Sequence, residues 1–134
     1  MSCFWKGLLI SLNSKDLKYF KIESKSVKDK NIKQFIKQLK ILNTKTINMT
    51  WNSIILSDKQ LQENYDHIKN YDINTFNDGY YCSCSDPFLF LLSYLLNVNI
   101  LHDYDGNIIK YGINSNKQLR TLKFNSNTEH FMTS

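Results

Sequence analysis

Three cysteines and three histidines are the side chains of this sequence with obvious nucleophilic or acid–base chemistry. Cys3 opens an amphipathic stretch in which Phe4, Leu8 and Leu12 share one stripe, with Trp5 and Leu9 beside it, and this spacing predicts a helix over 3–12. A helix start offers unpaired amides and the positive end of the helix dipole, conditions that favour a thiolate and can receive an oxyanion. A nucleophilic cysteine needs both. The plainer reading is an incidental or buried cysteine. His130, followed by Phe131, falls in the last predicted strand. A strand fixes its backbone, so an imidazole there can serve as general base against a helix N-terminus, although a lone histidine on a terminal strand is often only a surface or core residue. His67 falls on the outer face of its predicted helix and His102 ends a strand before a turn, and both read as structural.

Other chemistries find little support. Cys82-x-Cys84 lacks the wider gap of a zinc knuckle, and no second Cys/His pair completes four ligands, so neither a metal nor a cofactor is expected. Gly-rich phosphate loops and the GxSxG and HExxH patterns are absent. Asp103 and Asp105 flank a turn, and turn chemistry accounts for them. Lys18-Tyr19-Phe20-Lys21 is the one place where basic and aromatic residues interleave as a nucleic-acid surface requires.

Several elements must position these residues. Residues 13–30 read as a polar loop. A clear amphipathic helix runs over 31–42, with Ile32, Phe35, Ile36 and Leu39 inward and Lys33, Lys37 and Lys40 outward. The 43–57 stretch is mixed, with Met49, Trp51, Ile54 and Ile55 as expected core residues. Asp58 is the expected cap of a helix reaching Asn70, its inner face carrying Leu61, Tyr65 and Ile68. A loop over 71–85 follows. Asp86 with Pro87 is an N-cap with proline at the first helical position, and the helix to Leu96 is apolar nearly all round, which predicts burial at the centre. Strands are then predicted over 98–103, 107–112, 118–124 and 129–132, the first two joined by an Asp-Gly hairpin turn. N-terminal helices packed on a C-terminal, mostly antiparallel sheet make an α+β fold, expected as one domain over 1–134.

The chain has 134 residues, 42% of them hydrophobic, enough for one real core. Arg120 is the only arginine, and the heavy use of Asn, Ile and Lys is the mark of an AT-rich genome, as in many viruses and some protists. Residues 1–45 carry 11 lysines against Asp16, Glu23 and Asp29, about +8, while the remainder is about −3. The lysines are spread as one solvated face rather than as a run, which speaks against a nucleic-acid partner. Three cysteines are too few for a disulfide scaffold. No signal peptide is visible and the apolar run at 88–96 is too short to span a bilayer, so a reducing, cytoplasmic setting is expected.

Taken in order, Ser2-Cys3-Phe4-Trp5 opening a helix, a Trp51 region, Gly79-Tyr80-Tyr81 through Asp86 into a Leu-rich helix, Asn99-Ile100 and Glu129-His130-Phe131 form a pattern. It resembles the ovarian-tumour (OTU) class of papain-like cysteine peptidases, particularly the reduced viral versions. The resemblance covers nearly the whole chain through short, degenerate motifs. It implies hydrolysis of a peptide or isopeptide bond through an acyl-enzyme on Cys3, with His130 as base and then acid. The substrates it implies are a viral polyprotein, or host proteins carrying ubiquitin or a ubiquitin-like modifier, in the host cytosol. The oxyanion would be met by backbone amides at Ser2 and Cys3. Where the family commonly has Asp or Asn two residues after the histidine, this sequence has Met132, so the orienting partner is either missing, as in some viral dyad enzymes, or supplied from elsewhere, with Asn125 and Asn127 as candidates. Trp5, Tyr80 and Tyr81 are the candidate groove residues. Two other function classes remain in view: a non-enzymatic viral domain that binds a host protein, and a basic nucleic-acid-binding module. The first predicts no thiol-dependent activity, and the second predicts affinity that collapses with salt.

Overall fold

The computed structural model describes residues 3–115, 118–126 and 131–133. Helices cover one face of a six-stranded sheet, an α+β arrangement. The helices are α1 (Cys3–Ser11), α2 (Ser14–Tyr19), α3 (Asp29–Ile41), α4 (Asp58–Asn70) and α5 (Pro87–Leu96), with a 3-10 helix at Ile73–Asp78. The strands are β1 (Met49–Trp51), β2 (Ile54–Ile55), β3 (Asn99–Tyr104), β4 (Asn107–Ile113), β5 (Thr121–Ser126) and β6 (Phe131–Thr133), in the order β2-β1-β4-β3-β5-β6.

Local chemistry sets most element ends. Asp86 accepts the Phe88 amide and Pro87 follows at the first helical position, so α5 starts there. It ends at Asn97 in the left-handed conformation. The cap of α4 is Ser57 rather than Asp58: its hydroxyl takes the Gln60 amide and the Gln60 side chain returns to the Ser57 amide. The same reciprocal device, built on Asn13 and Asp16, makes a six-residue helix inside what composition reads as a loop. Between β3 and β4, Asp105 and Gly106 both take positive φ, the type I′ turn expected of Asp-Gly. Asn52 and Ser53 do the same between β1 and β2, a hairpin with no glycine to announce it.

The sheet is mostly antiparallel, as expected, but its strands are not all C-terminal. β1 and β2 join it from the middle of the chain through antiparallel pairing of β1 with β4, so helices do not simply precede strands. β5 runs parallel to β3, while every other pairing is antiparallel. Ile100, His102, Ile109, Tyr111, Leu122 and Phe124 alternate onto the helix-covered face; Thr121, Lys123 and Asn125 face outward. Ile54 and Ile55, expected in the core, lie on the edge strand at 67% and 56% exposure. The expected inner face of α3 is fully buried, and Phe88 to Ser93 of α5 are buried throughout. Lys40 turns back from the outward face to donate to the carbonyls of Lys69 and Tyr71 at the end of α4.

Candidate functional site

Cys3 is half-buried at the first residue of α1. The next residue, Phe4, stands edge-on to Phe131, the first residue of β6, with ring centroids 5.0 Å apart. Gly7 faces the same ring so closely that a β-carbon there would meet its Cδ1 at 2.8 Å. Glycine on this face of α1 therefore lets the first helix lie directly on the closing strand. His130, Ser2 and Asn127 lie outside the described residues, so the expected approach of the thiol to the imidazole does too. Asn125 is exposed on the outer face of β5, paired in register with Met132.

The groove residues divide. Trp5 is sealed in the core between Phe4, Phe35, Tyr71, Tyr80 and Phe88, which corrects its expected place in a substrate groove. Five large apolar neighbours outweigh the single indole N–H, and Tyr71 satisfies that donor at 3.2 Å. Tyr80 is half-buried and packs its ring on Phe4 at 4.5 Å. Tyr81, next along the same loop, is 90% exposed.

Sequence reasoning missed the hub that holds this loop beside α1. Asp86 is wholly buried, and its carboxylate accepts the Tyr80 hydroxyl at 2.9 Å and the Ser83 and Phe88 amides at 3.1 and 3.0 Å. Its own amide donates to the Tyr111 hydroxyl at 2.9 Å. Burial raises the Asp86 pKa above the usual carboxylate value, with the three donors pulling the other way. Burial also pushes up the Tyr80 and Tyr111 phenols, so both stay protonated and able to donate. The Tyr80 proton points to Asp86, so the Nε2 of His67, 3.1 Å from the phenol oxygen, must donate to it. His67 also covers Phe88 edge-on, so a histidine read as merely outward-facing is one end of a four-residue relay. Trp51 closes the loop by donating to the Cys84 carbonyl at 2.9 Å.

Cys82 sits within this hub. Burial and the Asp86 carboxylate push its thiol well above the ordinary cysteine range, which makes it a poor nucleophile. No disulfide joins any of the three cysteines. His102, expected at a strand end, is instead inside β3 and fully buried, with Nε2 2.6 Å from Ser126 Oγ. Its Nδ1 has no hydrogen-bond partner among the described residues, and burial lowers its pKa to about 4. Among the described residues no three His, Cys, Asp or Glu side chains are grouped to hold a metal ion, and no helix is long and apolar enough to cross a membrane.

Comparison with known proteins found no family model, no curated protein and no solved structure that matches this chain.

Proposed function

We propose that this protein is a thiol hydrolase of the OTU-like, papain-like kind, which cleaves peptide or isopeptide bonds through an acyl-enzyme on Cys3 with His130 as general base. One observation carries the reading. The helix that Cys3 opens lies on the strand that begins immediately after His130 in sequence, with Phe4 and Phe131 5.0 Å apart and Gly7 in contact with the same ring. The helix that carries the proposed nucleophile thus packs on a strand whose neighbour in sequence is the histidine that the reading needs as its base. The Tyr80–Ser85 loop, pinned through the half-buried Tyr80 to Phe4 and to Asp86, gives a substrate a wall to lie against, with Tyr81 projecting from it. Cys82, by contrast, is held protonated and takes no part.

The test is active-site labelling. A ubiquitin-derived electrophilic probe, or a fluorogenic peptide ending in Gly-Gly, reacts with the wild type and with Cys82→Ala. It does not react with Cys3→Ala, and His130→Ala is slowed by orders of magnitude. Equal turnover by Cys3→Ala ends the proposal. A second reading, a domain that binds another protein without chemistry, is favoured by the exposed apolar side chains Ile54, Ile55, Ile108 and Tyr81. It predicts binding that survives Cys3→Ala and no reaction with either probe.

A further inference from the structure

At the opposite end of α5 from the Asp86 hub, about 15 Å away along a ten-residue helix, α2, the end of α5 and the entry to β5 line a half-open pocket of about 300 Å³. That is the small end of the range for ligand pockets. Leu95, Leu96 and Val98 make its apolar surface, and Tyr19 stands at its side. Two cations line it as well, Lys15 and Arg120.

The chain's only arginine is built into place here. The Arg120 carbonyl accepts the Asn99 amide at 2.8 Å, and its Nη2 donates to Asp16 Oδ2 at 2.7 Å. Asp16 is 6% exposed and accepts the Asn13 amide at the same oxygen, so its Oδ2 serves both the α2 cap and one corner of the guanidinium. The other guanidinium donors have no partner among the described residues, and the side chain is 39% exposed. Lys15 makes no ion pair among the described residues. Two positive groups against one engaged carboxylate leave the cavity mouth positive. The negative end of α5 opposes an anion there, so both cations are needed.

We infer that this cavity binds a small organic carboxylate with an apolar body. The planar fork of Arg120 and the ammonium of Lys15 take the carboxylate, and the leucine surface and Tyr19 take an aryl or branched alkyl group. A bare phosphate would use the charge and leave the apolar surface against water. A carboxylate with an apolar body uses both.

Amide chemical shifts of the full chain, followed by NMR during titration with phenylacetate and separately with inorganic phosphate, test this. Expected are saturable shifts at Asp16, Leu95 to Val98 and Arg120, with a Kd on the order of 1 mM for a ligand this small. Lys15→Gln, which disturbs no pairing within the described residues, weakens phenylacetate at least tenfold, and Lys37→Gln on α3 leaves it unchanged. Arg120→Lys keeps the charge and the Asp16 pairing but loses the fork, and it too weakens binding. The inference is overturned by an absence of saturable shifts in the wild type. It is overturned equally by wild-type affinity in Lys15→Gln, or by phosphate binding as tightly as phenylacetate at the same amides.

Discussion

His102 makes the stability of this fold depend on pH in a way that can be calculated. The imidazole is fully buried and, among the described residues, hydrogen-bonded at one nitrogen only, to Ser126, with the rings of Phe131 and Tyr104 against it at 5.4 and 5.6 Å. Its pKa falls from 6.5 to about 4, because burial penalises the imidazolium more than neighbouring Asp103 favours it. Above pH 6.5 the ring is neutral in both folded and unfolded chains and contributes no pH dependence. Between 6.5 and 4 only the unfolded chain takes the proton, so the folded state loses stability as pH falls. A gap of about 2.5 units at 1.36 kcal/mol each gives a loss of about 3 kcal/mol on going from pH 7 to pH 4. Asp86 works in the opposite sense: its raised pKa means that its protonation at low pH favours the folded state. The informative quantity is therefore a difference. Urea unfolding of the wild type and of His102→Gln, followed by tryptophan fluorescence at half-unit steps from pH 7 to pH 4, separates the two groups, since Asp86 is common to both proteins. The wild type falls by about 3 kcal/mol more than the variant. Parallel profiles would refute the claim that this ring is held neutral.

Gly7→Ala tests the seat of α1 on β6. Alanine gains about 1 kcal/mol of helix propensity, but its β-carbon meets the Phe131 ring at 2.8 Å, and Phe124 stacks on that ring from 4.9 Å away. The variant loses about 1 kcal/mol net by calorimetry, and in a Phe131→Leu background the same change becomes stabilising; stabilisation in both backgrounds would show the contact to be slack. Asp86→Ala strands the Tyr80 hydroxyl and the Ser83 and Phe88 amides and removes the cap of α5. It costs about 3 kcal/mol in urea unfolding, and a loss near zero would deny the hub its structural role. Tyr80→Phe keeps the ring on Phe4 but cuts both hydroxyl contacts, costing about 1 kcal/mol; it also loosens the loop, seen as faster amide exchange at Ser83. Tyr81→Ala, at a side chain 90% exposed, leaves stability within about 0.5 kcal/mol. Under the peptidase reading it raises KM for a Gly-Gly peptide while Cys3 still reacts with iodoacetamide; an unchanged KM removes Tyr81 from the groove.

What could be read from the sequence was local. The period of α3, the Asp86-Pro87 start of α5 and the Asp-Gly turn between β3 and β4 depend on neighbours within a few residues, where spacing and backbone preference suffice. The same rules could have found the Asn13–Asp16 capping box, whose first and fourth residues are written side by side with its helix, but the surrounding lysines hid it. The Asn52-Ser53 turn was harder, because without glycine its two positive φ values are forced by the pairing of β1 with β2.

Of the candidate site, the sequence offered residue types and little geometry. It marked Cys3 at a helix start, and it placed Trp5 at a surface that packing against five rings denies it. Tertiary structure alone decided that β5 pairs parallel with β3 and that α1 lies on β6. It also decided that His102 is buried, and that Tyr80, Asp86, Tyr111 and His67 converge, although as many as 44 positions separate them. The physical reason is the same in each case. A helix satisfies its own backbone and declares itself by period, whereas a strand's partner and a buried polar group's partner are chosen by whichever distant donors and acceptors the closed core brings within reach.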